Sequence, residues 1–209
     1  MNLMTTNPFT GPMATIYIGI NSARYYKVPI CLTALTYGSN GEIILLGFYF
    51  VDIESCARLQ LQTIVDRFLG ALSQHVWIQQ RHQLTTFKCA PIIECNTNEV
   101  VALSLLEAIK NTCTGLNCDF TMINPFAPRL GIQISQYNKE LSILHLRRIM
   151  ATRKLFAASG AITMGMSPDR YRARLAKQLE YIDNRDEKIE TSVGESFLLA
   201  LFLSHEKPK

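Results

Sequence analysis

Three consecutive strand-like segments near the start of the chain constrain its fold most strongly. Thr15–Ile20, Val28–Tyr37 and Glu42–Val51 are rich in β-branched and aromatic residues, which favour extended backbone. The turn sequence Gly38-Ser39-Asn40-Gly41 separates the last two segments, and such turns join antiparallel strands. The chain is therefore predicted to begin with a three-stranded antiparallel meander.

Helices and strands alternate after the meander. Apolar residues recur at helical spacing between Leu61 and Leu72, and Phe87–Glu94 is a fourth strand candidate. A second helix is predicted from the start signal Asn96-Thr97-Asn98-Glu99, and Asp119–Ile123 is a fifth strand candidate. This order predicts an α/β fold, with a mixed five-stranded sheet and helices on both faces. It is the order of the ribonuclease H-like fold, an analogy that says nothing about activity.

The C-terminal part of the chain is predicted to be mostly helical. Lys139–Leu155 has a helical pattern, and Ser159–Gly165 is a connection of small residues. Ser167-Pro168 places a capping residue before a proline, as helix starts often do. Val193–Ser204 is an apolar final helix predicted to pack on the sheet.

Composition limits the class of protein. The 209 residues are 48% hydrophobic and 18% charged, which is typical of a globular domain and not of a disordered chain. One domain over residues 15–206 is expected, preceded by a flexible leader at residues 1–14 that is rich in turn-forming residues. The longest apolar stretch, Phe197–Leu203, is too short for a membrane span, and no secretory signal is expected, because residues 1–13 lack a basic region followed by an apolar core. The six cysteines are therefore interpreted as reduced thiols of an intracellular protein with no membrane partner.

Positive charge is concentrated in one region. Residues 147–177 contain eight basic residues and one acid, so this segment has a net charge of +7 and the rest of the chain −3. The candidate residues for contacts with a nucleic-acid backbone are Arg147, Arg148, Arg170, Arg174 and Lys177. The alternative is that these basic residues lie on two solvent-exposed helix faces and bind no nucleic acid.

Carboxylates at strand ends and at the start of the last helix are the main candidates for chemistry. A two-metal nuclease needs several carboxylates around two divalent cations. Glu94 ends the fourth strand and Glu195 opens the last helix, although Glu195 also fits an ordinary first-turn acid. The first strand has no acid: Gly19 and Asn21 stand where a carboxylate is expected. Asp52 and Glu54, after the third strand, are the nearest other acids in the first half of the predicted sheet.

Several other chemistries are disfavoured. The cysteines form no C-x-x-C pair and lie at no zinc-finger spacing from the histidines. The sequence contains no glycine-rich phosphate loop of either common type. A zinc site and an ATPase motor are therefore not expected in this chain.

Four collinear segments carry a resemblance to one viral family. They are Ile16-Tyr17-Ile18-Gly19-Ile20-Asn21, Ile93-Glu94-Cys95-Asn96-Thr97-Asn98-Glu99-Val100-Val101-Ala102, Ser167-Pro168-Asp169-Arg170-Tyr171 with Gln178-Leu179, and Val193-Gly194-Glu195-Ser196-Phe197-Leu198-Leu199-Ala200. In this order they resemble the motifs V-Y-V-D-P-A, V-E-G-N-S-S-Q-D-S-A, D-P-V-x-Y-L-x-x-Q-L and A-D-D-L-x-V-A-V of the C-terminal nuclease domain of the herpesvirus terminase large subunit, which cuts concatemeric DNA during capsid packaging. The resemblance covers residues 15–204.

The resemblance implies a nuclease fold with a degenerate site. It implies Mg²⁺ or Mn²⁺ as cofactor if the site is active, with Glu94, Glu195 and Asn21 as the metal-binding positions. Gly19 replaces the first-strand aspartate, and Gly194-Glu195 replaces the final aspartate pair, so weakened or absent hydrolysis is expected. A Gly19→Asp variant that regains weak activity would support lost catalysis. DNA and viral packaging or assembly proteins are the implied partners, and the host nucleus is the implied location.

Two other functions stay open. The first is an active two-metal endonuclease or resolvase that uses Glu94, Glu195 and Asp52. Viral Holliday-junction resolvases share the fold, and their D-S-F-x-L-A helix resembles the segment that begins at Glu195. The second is a protein-interaction scaffold whose basic surface binds an acidic partner.

Overall fold

A computed structural model defines the architecture of most of the chain. It describes residues 2–3, 15–21, 29–38, 41–52, 54–55, 59–79, 87–93, 99–116, 118–120, 136–152, 155–184 and 192–203. Glu94 and most of the predicted leader lie outside the described residues.

The described residues form seven strands and five helices. The strands are β1 Asn2–Leu3, β2 Thr15–Asn21, β3 Ile30–Tyr37, β4 Ile43–Val51, β5 Lys88–Ile93, β6 Asp119–Phe120 and β7 Leu155–Met164. The helices are α1 Leu61–Gln79, α2 Glu99–Gly115, α3 Gln136–Ala151, α4 Pro168–Asn184 and α5 Ser192–Leu203. No helix in these ranges is both long enough and apolar enough to cross a bilayer.

All seven strands belong to one sheet, in the order β1-β7-β4-β3-β2-β5-β6. β2, β3 and β4 are antiparallel neighbours, whereas β5 is parallel to β2 and β6 is parallel to β5. The predicted mixed α/β class, with an antiparallel meander and helices on both faces, is confirmed. Two further strands, β7 and β1, extend the sheet beyond β4.

The strand β7 corrects two predictions. The helix expected to reach Leu155 ends at Ala151, and the expected connection Ser159–Gly165 lies largely within a strand. β7 pairs in parallel with β4, but its register shifts: Leu45 pairs with Ala157 and Gly47 with Ile162. The surplus residues form a bulge, in which Gly160 has a φ of 71° that favours glycine.

β1, the strand at one side of the sheet, comes from the segment predicted to be a flexible leader. Asn2 pairs with Phe156 and Leu3 with Ala157, in parallel. Two leader residues therefore lie at the sheet edge. The boundaries of the leader and of the 15–206 domain stay predictions.

The helices divide between the two faces of the sheet. Ile16, Ile18 and Ile20 of β2 pack into one apolar cluster with residues of α1 and α2. Alternate residues of β3 and β4 pack on the opposite face against α3, α4 and α5. This alternation follows from strand geometry, since successive side chains point to opposite faces. The face of the sheet that α5 covers is the one where Asn21 of β2 contacts Glu195 of α5.

The predicted start of α4 is confirmed. The helix begins at Pro168, and the hydroxyl of Ser167 accepts a hydrogen bond from the Arg170 backbone N–H at 3.3 Å. Ser167 is thus the capping residue that the sequence indicates. Just before it, Gly165 has a φ of 78°, and a Cβ there would lie 1.8 Å from the Phe50 carbonyl oxygen. Only glycine fits this close approach of β7 to β4.

Candidate functional site

Several strands end at one edge of the sheet, where α5 begins. β2, β4, β5 and β7 run in the same direction, so their carboxyl ends share this edge. β2 ends at Asn21, and Ile93 at the end of β5 pairs with Ile20. This edge is where ligands commonly bind in open α/β sheets.

Asn21 and Glu195 meet at this edge. The Nδ2 amide of Asn21 donates a hydrogen bond to the carboxylate Oε2 of Glu195. Asn21 is 3% exposed and Glu195 is partly buried. The Oδ1 atom of Asn21 is buried and has no hydrogen-bond partner among the described residues. Two of the three predicted metal-binding positions are therefore in contact.

Gly19 lies where the backbone of α5 closely approaches β2. A Cβ at this position would lie 1.9 Å from the Ser196 carbonyl oxygen and 2.4 Å from the Ala200 nitrogen. These are backbone atoms of a helix, so they cannot move aside as a flexible side chain would. An aspartate at residue 19 does not fit this fold, and the Gly19→Asp test of lost catalysis is therefore unsuitable. Asn21, two residues on, is the β2 position whose side chain reaches the α5 start.

Gln178 of α4 holds the first turn of α5. Its Oε1 accepts a hydrogen bond from the Gly194 backbone N–H at 2.8 Å, and the residue is 3% exposed. The first N–H groups of a helix have no partner within the helix, so this contact satisfies one of them beside Glu195. Gln178 lies in a segment that resembles a family motif, but the sequence indicates no role for it.

A buried hydroxyl network lies beneath the Asn21–Glu195 pair. The Thr33 hydroxyl is 2.8 Å from the Ser196 hydroxyl and 3.1 Å from the Tyr171 hydroxyl. The Tyr171 ring stacks on Phe48, with 3.7 Å between ring centroids. Burial raises the pKa of the Tyr171 phenol, the nearby Cys31 adds to the rise, and the Thr33 hydrogen bond lowers it. The phenol therefore stays neutral. The contacts between the three hydroxyl groups link β3 to α4 and α5.

The basic candidates lie on two helices that pack against α5. Arg147 and Arg148 are exposed on α3, and Arg170 and Lys177 are exposed on α4. Arg174 is partly buried, and its guanidinium carbon lies 4.7 Å from the centre of the Phe50 ring. Both helices contact α5, so all five residues belong to the helix layer that carries Glu195.

Asp52 follows β4, whose carboxyl end lies at the same edge as that of β2. It is exposed after β4, and its Oδ1 accepts a hydrogen bond from the Ser55 N–H at 2.7 Å. β4 is two strands away from β2 in the sheet, a separation of about 10 Å. A rebuilt site that also includes Asp52 therefore stays a prediction.

The described residues do not form a two-metal site. The ranges that the structure describes contain no group of three His, Cys, Asp or Glu side chains suited to a metal ion. Glu195 and the Oδ1 of Asn21 supply hard oxygen donors with one negative charge between them, which is too little for two divalent cations. Glu94 follows Ile93 in the sequence but lies outside the described residues, so its role stays a prediction.

The sheet order, the strand directions and the position of α5 define a ribonuclease H-like α/β fold, as found in viral terminase nuclease domains. Two solved structures of the human cytomegalovirus terminase nuclease domain are similar throughout. The Mn-soaked structure has a TM-score of 0.69 at 14% identity, covering 97% of this chain and 89% of that one. The Mn-soaked, inhibitor-bound structure has a TM-score of 0.68 at 11% identity, with the same coverage. No protein-family profile and no curated protein sequence matches this chain.

Proposed function

We propose that this chain is a terminase-nuclease-like domain with weakened or lost phosphodiester hydrolysis. It binds the nucleic-acid backbone, and it acts as a binding or assembly module in viral DNA packaging or a related process. One observation carries the proposal: the amide of Asn21 donates a hydrogen bond to Glu195 at the edge where a two-metal nuclease would place carboxylates.

The chemistry of this contact supports loss of hydrolysis. In a two-metal site, neighbouring carboxylates are held together by the cations that they share. Here a neutral amide N–H meets the Glu195 carboxylate, so the contact is favourable without any cation. A neutral amide also removes one of the charges that offset cation dehydration.

The basic helices support binding to a DNA backbone. Arg147, Arg148, Arg170, Arg174 and Lys177 belong to the same helix layer as Glu195. Lysine and arginine contacts to phosphates give affinity without base readout, so we expect little sequence preference. If the chain is viral, the partners are DNA and other packaging or assembly proteins in the host nucleus.

Plasmid nicking with Mg²⁺ or Mn²⁺ tests this function. We expect the wild-type protein to bind plasmid DNA in EDTA and to nick it little or not at all with either metal. An Asn21→Asp variant restores the missing charge at a position with room for it, and weak metal-dependent nicking by this variant would support lost catalysis. Glu195→Gln in the same background is the matched control, and it should remove that activity.

Robust cleavage by the wild type, abolished by Glu94→Ala, would contradict lost hydrolysis. It would favour the second candidate, an active metal-dependent endonuclease. One observation supports that candidate: the Asn21 Oδ1 is a buried acceptor with no partner among the described residues, and such atoms usually have a ligand, ion or water. Absence of DNA binding would favour the scaffold function.

A further inference from the structure

We propose that Arg174 is the anchoring phosphate contact of α4, and that Phe50 is the residue that positions its guanidinium. This inference rests on the proposed DNA binding and adds a ranking among the basic residues. It assigns to Phe50, an apolar residue of β4, a role in nucleic-acid affinity.

The contact between Arg174 and Phe50 restricts the arginine. The guanidinium carbon lies 4.7 Å from the ring centre, within the range of a cation–π interaction. Phe50 is 8% exposed and packs in the same apolar cluster as Tyr171 and Leu175 of α4. The ring is therefore fixed by the core, and it holds the arginine in a limited set of positions.

A pre-positioned arginine binds phosphate at a lower entropic cost. Ordering a long side chain on binding costs about 0.5–1.5 kcal/mol, and Arg174 has already lost part of that freedom. Stacking uses the face of the guanidinium, whereas phosphate recognition uses the N–H groups in its plane. The two interactions are therefore compatible. Arg170 is exposed, so its long side chain must be ordered when it binds a phosphate.

The position of Arg174 connects it to the Asn21–Glu195 pair. Arg170, Arg174 and Gln178 are spaced four residues apart, so they follow one side of α4. Gln178 contacts Gly194, the residue before Glu195. Arg174 is one helical turn from Gln178, about 6 Å along the axis. A phosphate on Arg174 would therefore lie close to the start of α5.

The helix offers a matched control. Arg172 has the same charge on the same helix but lies two residues from Arg174, on a different side. It is exposed and faces Asp169 at 3.9 Å, on the first turn of α4. Arg172→Ala removes one positive charge from α4 without touching the Phe50 contact.

The test measures binding of a labelled duplex oligonucleotide across a salt series, by fluorescence anisotropy, with the full chain. For Arg174→Ala we expect affinity to fall about tenfold and the log–log salt slope to become shallower by about 0.9, as for one lost phosphate contact. For Arg172→Ala we expect a fall of less than about twofold and an unchanged slope. Phe50→Leu keeps every charge, so we expect a two- to fivefold fall with an unchanged slope.

A double variant separates positioning from a general structural effect. If Phe50 acts through Arg174, then Phe50→Leu should weaken binding in the wild-type background and have no further effect in the Arg174→Ala background. Circular dichroism of each variant confirms that the compared proteins are folded. A Phe50→Leu variant that weakens binding equally in both backgrounds would overturn the positioning role.

The outcomes distinguish this inference from the proposed function. If Arg174→Ala and Arg172→Ala weaken binding equally, DNA binding stands and the anchoring role of Arg174 is overturned. If the wild type does not bind duplex DNA at low salt, the proposed function and this inference are both overturned.

Discussion

Gly19 and Asn21 are two residues apart on β2, and the two positions meet α5 in opposite ways. At Gly19 the absence of a side chain lets the α5 backbone approach the strand. At Asn21 the side chain reaches the first turn and contacts Glu195. Side chains at alternate strand positions share a face, so both features depend on the register of one strand.

Gly19→Ala is expected to destabilise the protein severely, whereas Gly70→Ala is expected to stabilise it. The added Cβ at residue 19 overlaps backbone atoms of α5, which should lower the free energy of unfolding by about 3 kcal/mol or more. A Cβ at Gly70, inside α1, meets no atom within 4 Å. That change should raise the free energy of unfolding by about 0.5–1 kcal/mol. Urea unfolding measures both, and equal effects would contradict the tight packing of α5 on Gly19.

The sequence predicted which residues meet at the site, but it did not predict the distances and hydrogen bonds between the elements that carry them. The order of strands and helices placed Asn21 and Glu195 at one edge, and they are in contact. How closely α5 approaches Gly19 cannot be read from the sequence, because it depends on the distance between two elements far apart in the chain. The cap by Gln178 was missed for the same reason.

At the scale of elements, β7 shows where local sequence preferences fail. Its middle, Ala157-Ala158-Ser159-Gly160-Ala161, has neither β-branched residues nor alternation, so no strand was predicted. The backbone groups of β4 provide hydrogen-bond partners for both ends of β7. Tertiary pairing therefore outweighs weak propensity, and the bulge accommodates the residues that fit no regular register.

The contact between α1 and the β7 bulge includes a buried histidine. His75 is 8% exposed, and its Nε2 has no hydrogen-bond partner among the described residues. Its Cε1 lies 3.9 Å from the position that a Cβ on Gly160 would occupy. Burial lowers the pKa of His75 from the ordinary value of 6.5. The folded protein therefore favours the neutral imidazole.

We expect acid to destabilise the protein partly through His75. Below about pH 6.5 the unfolded chain binds a proton at this residue, whereas the folded chain resists it. The free energy of unfolding should therefore fall as the pH decreases from 7.5 to 5, and it should be insensitive to His75 above pH 7.5. A His75→Gln variant should show a smaller decrease, because glutamine does not titrate. Urea unfolding at several pH values measures this, and parallel curves for the two proteins would refute the assignment.

At the scale of the whole molecule, the sheet separates two layers of helices that differ in charge. α1 and α2 cover one face, while α3, α4 and α5 cover the other with the basic candidates and Glu195. The charge concentration in residues 147–177 is thus an asymmetry of the folded protein as well as of the sequence.

Bound DNA should protect one face only. We expect duplex DNA to slow amide hydrogen exchange in α3, α4 and the start of α5, and to leave α1 and α2 unchanged. The reason is that phosphate contacts need the basic side chains, and the five candidates all belong to the α5 layer. Hydrogen exchange with mass spectrometry measures this, and high salt provides the control because it releases the DNA. Protection centred on α1 or α2 would contradict DNA binding by the helix layer that contains α3, α4 and α5.

The packing of α5 on β2 has a consequence for synthesis on the ribosome. Asn21 and Glu195 are 174 residues apart in the sequence, and the sheet face that α5 covers is translated long before the helix. Until residues 192–203 leave the exit tunnel, apolar residues such as Leu35 and Phe48 lack their cover from α5. A nascent chain stalled before that point would therefore expose an apolar face of the sheet. It would also lack the contact between Asn21 and Glu195. Completion of the site thus coincides with concealment of the surface that chaperones would recognise.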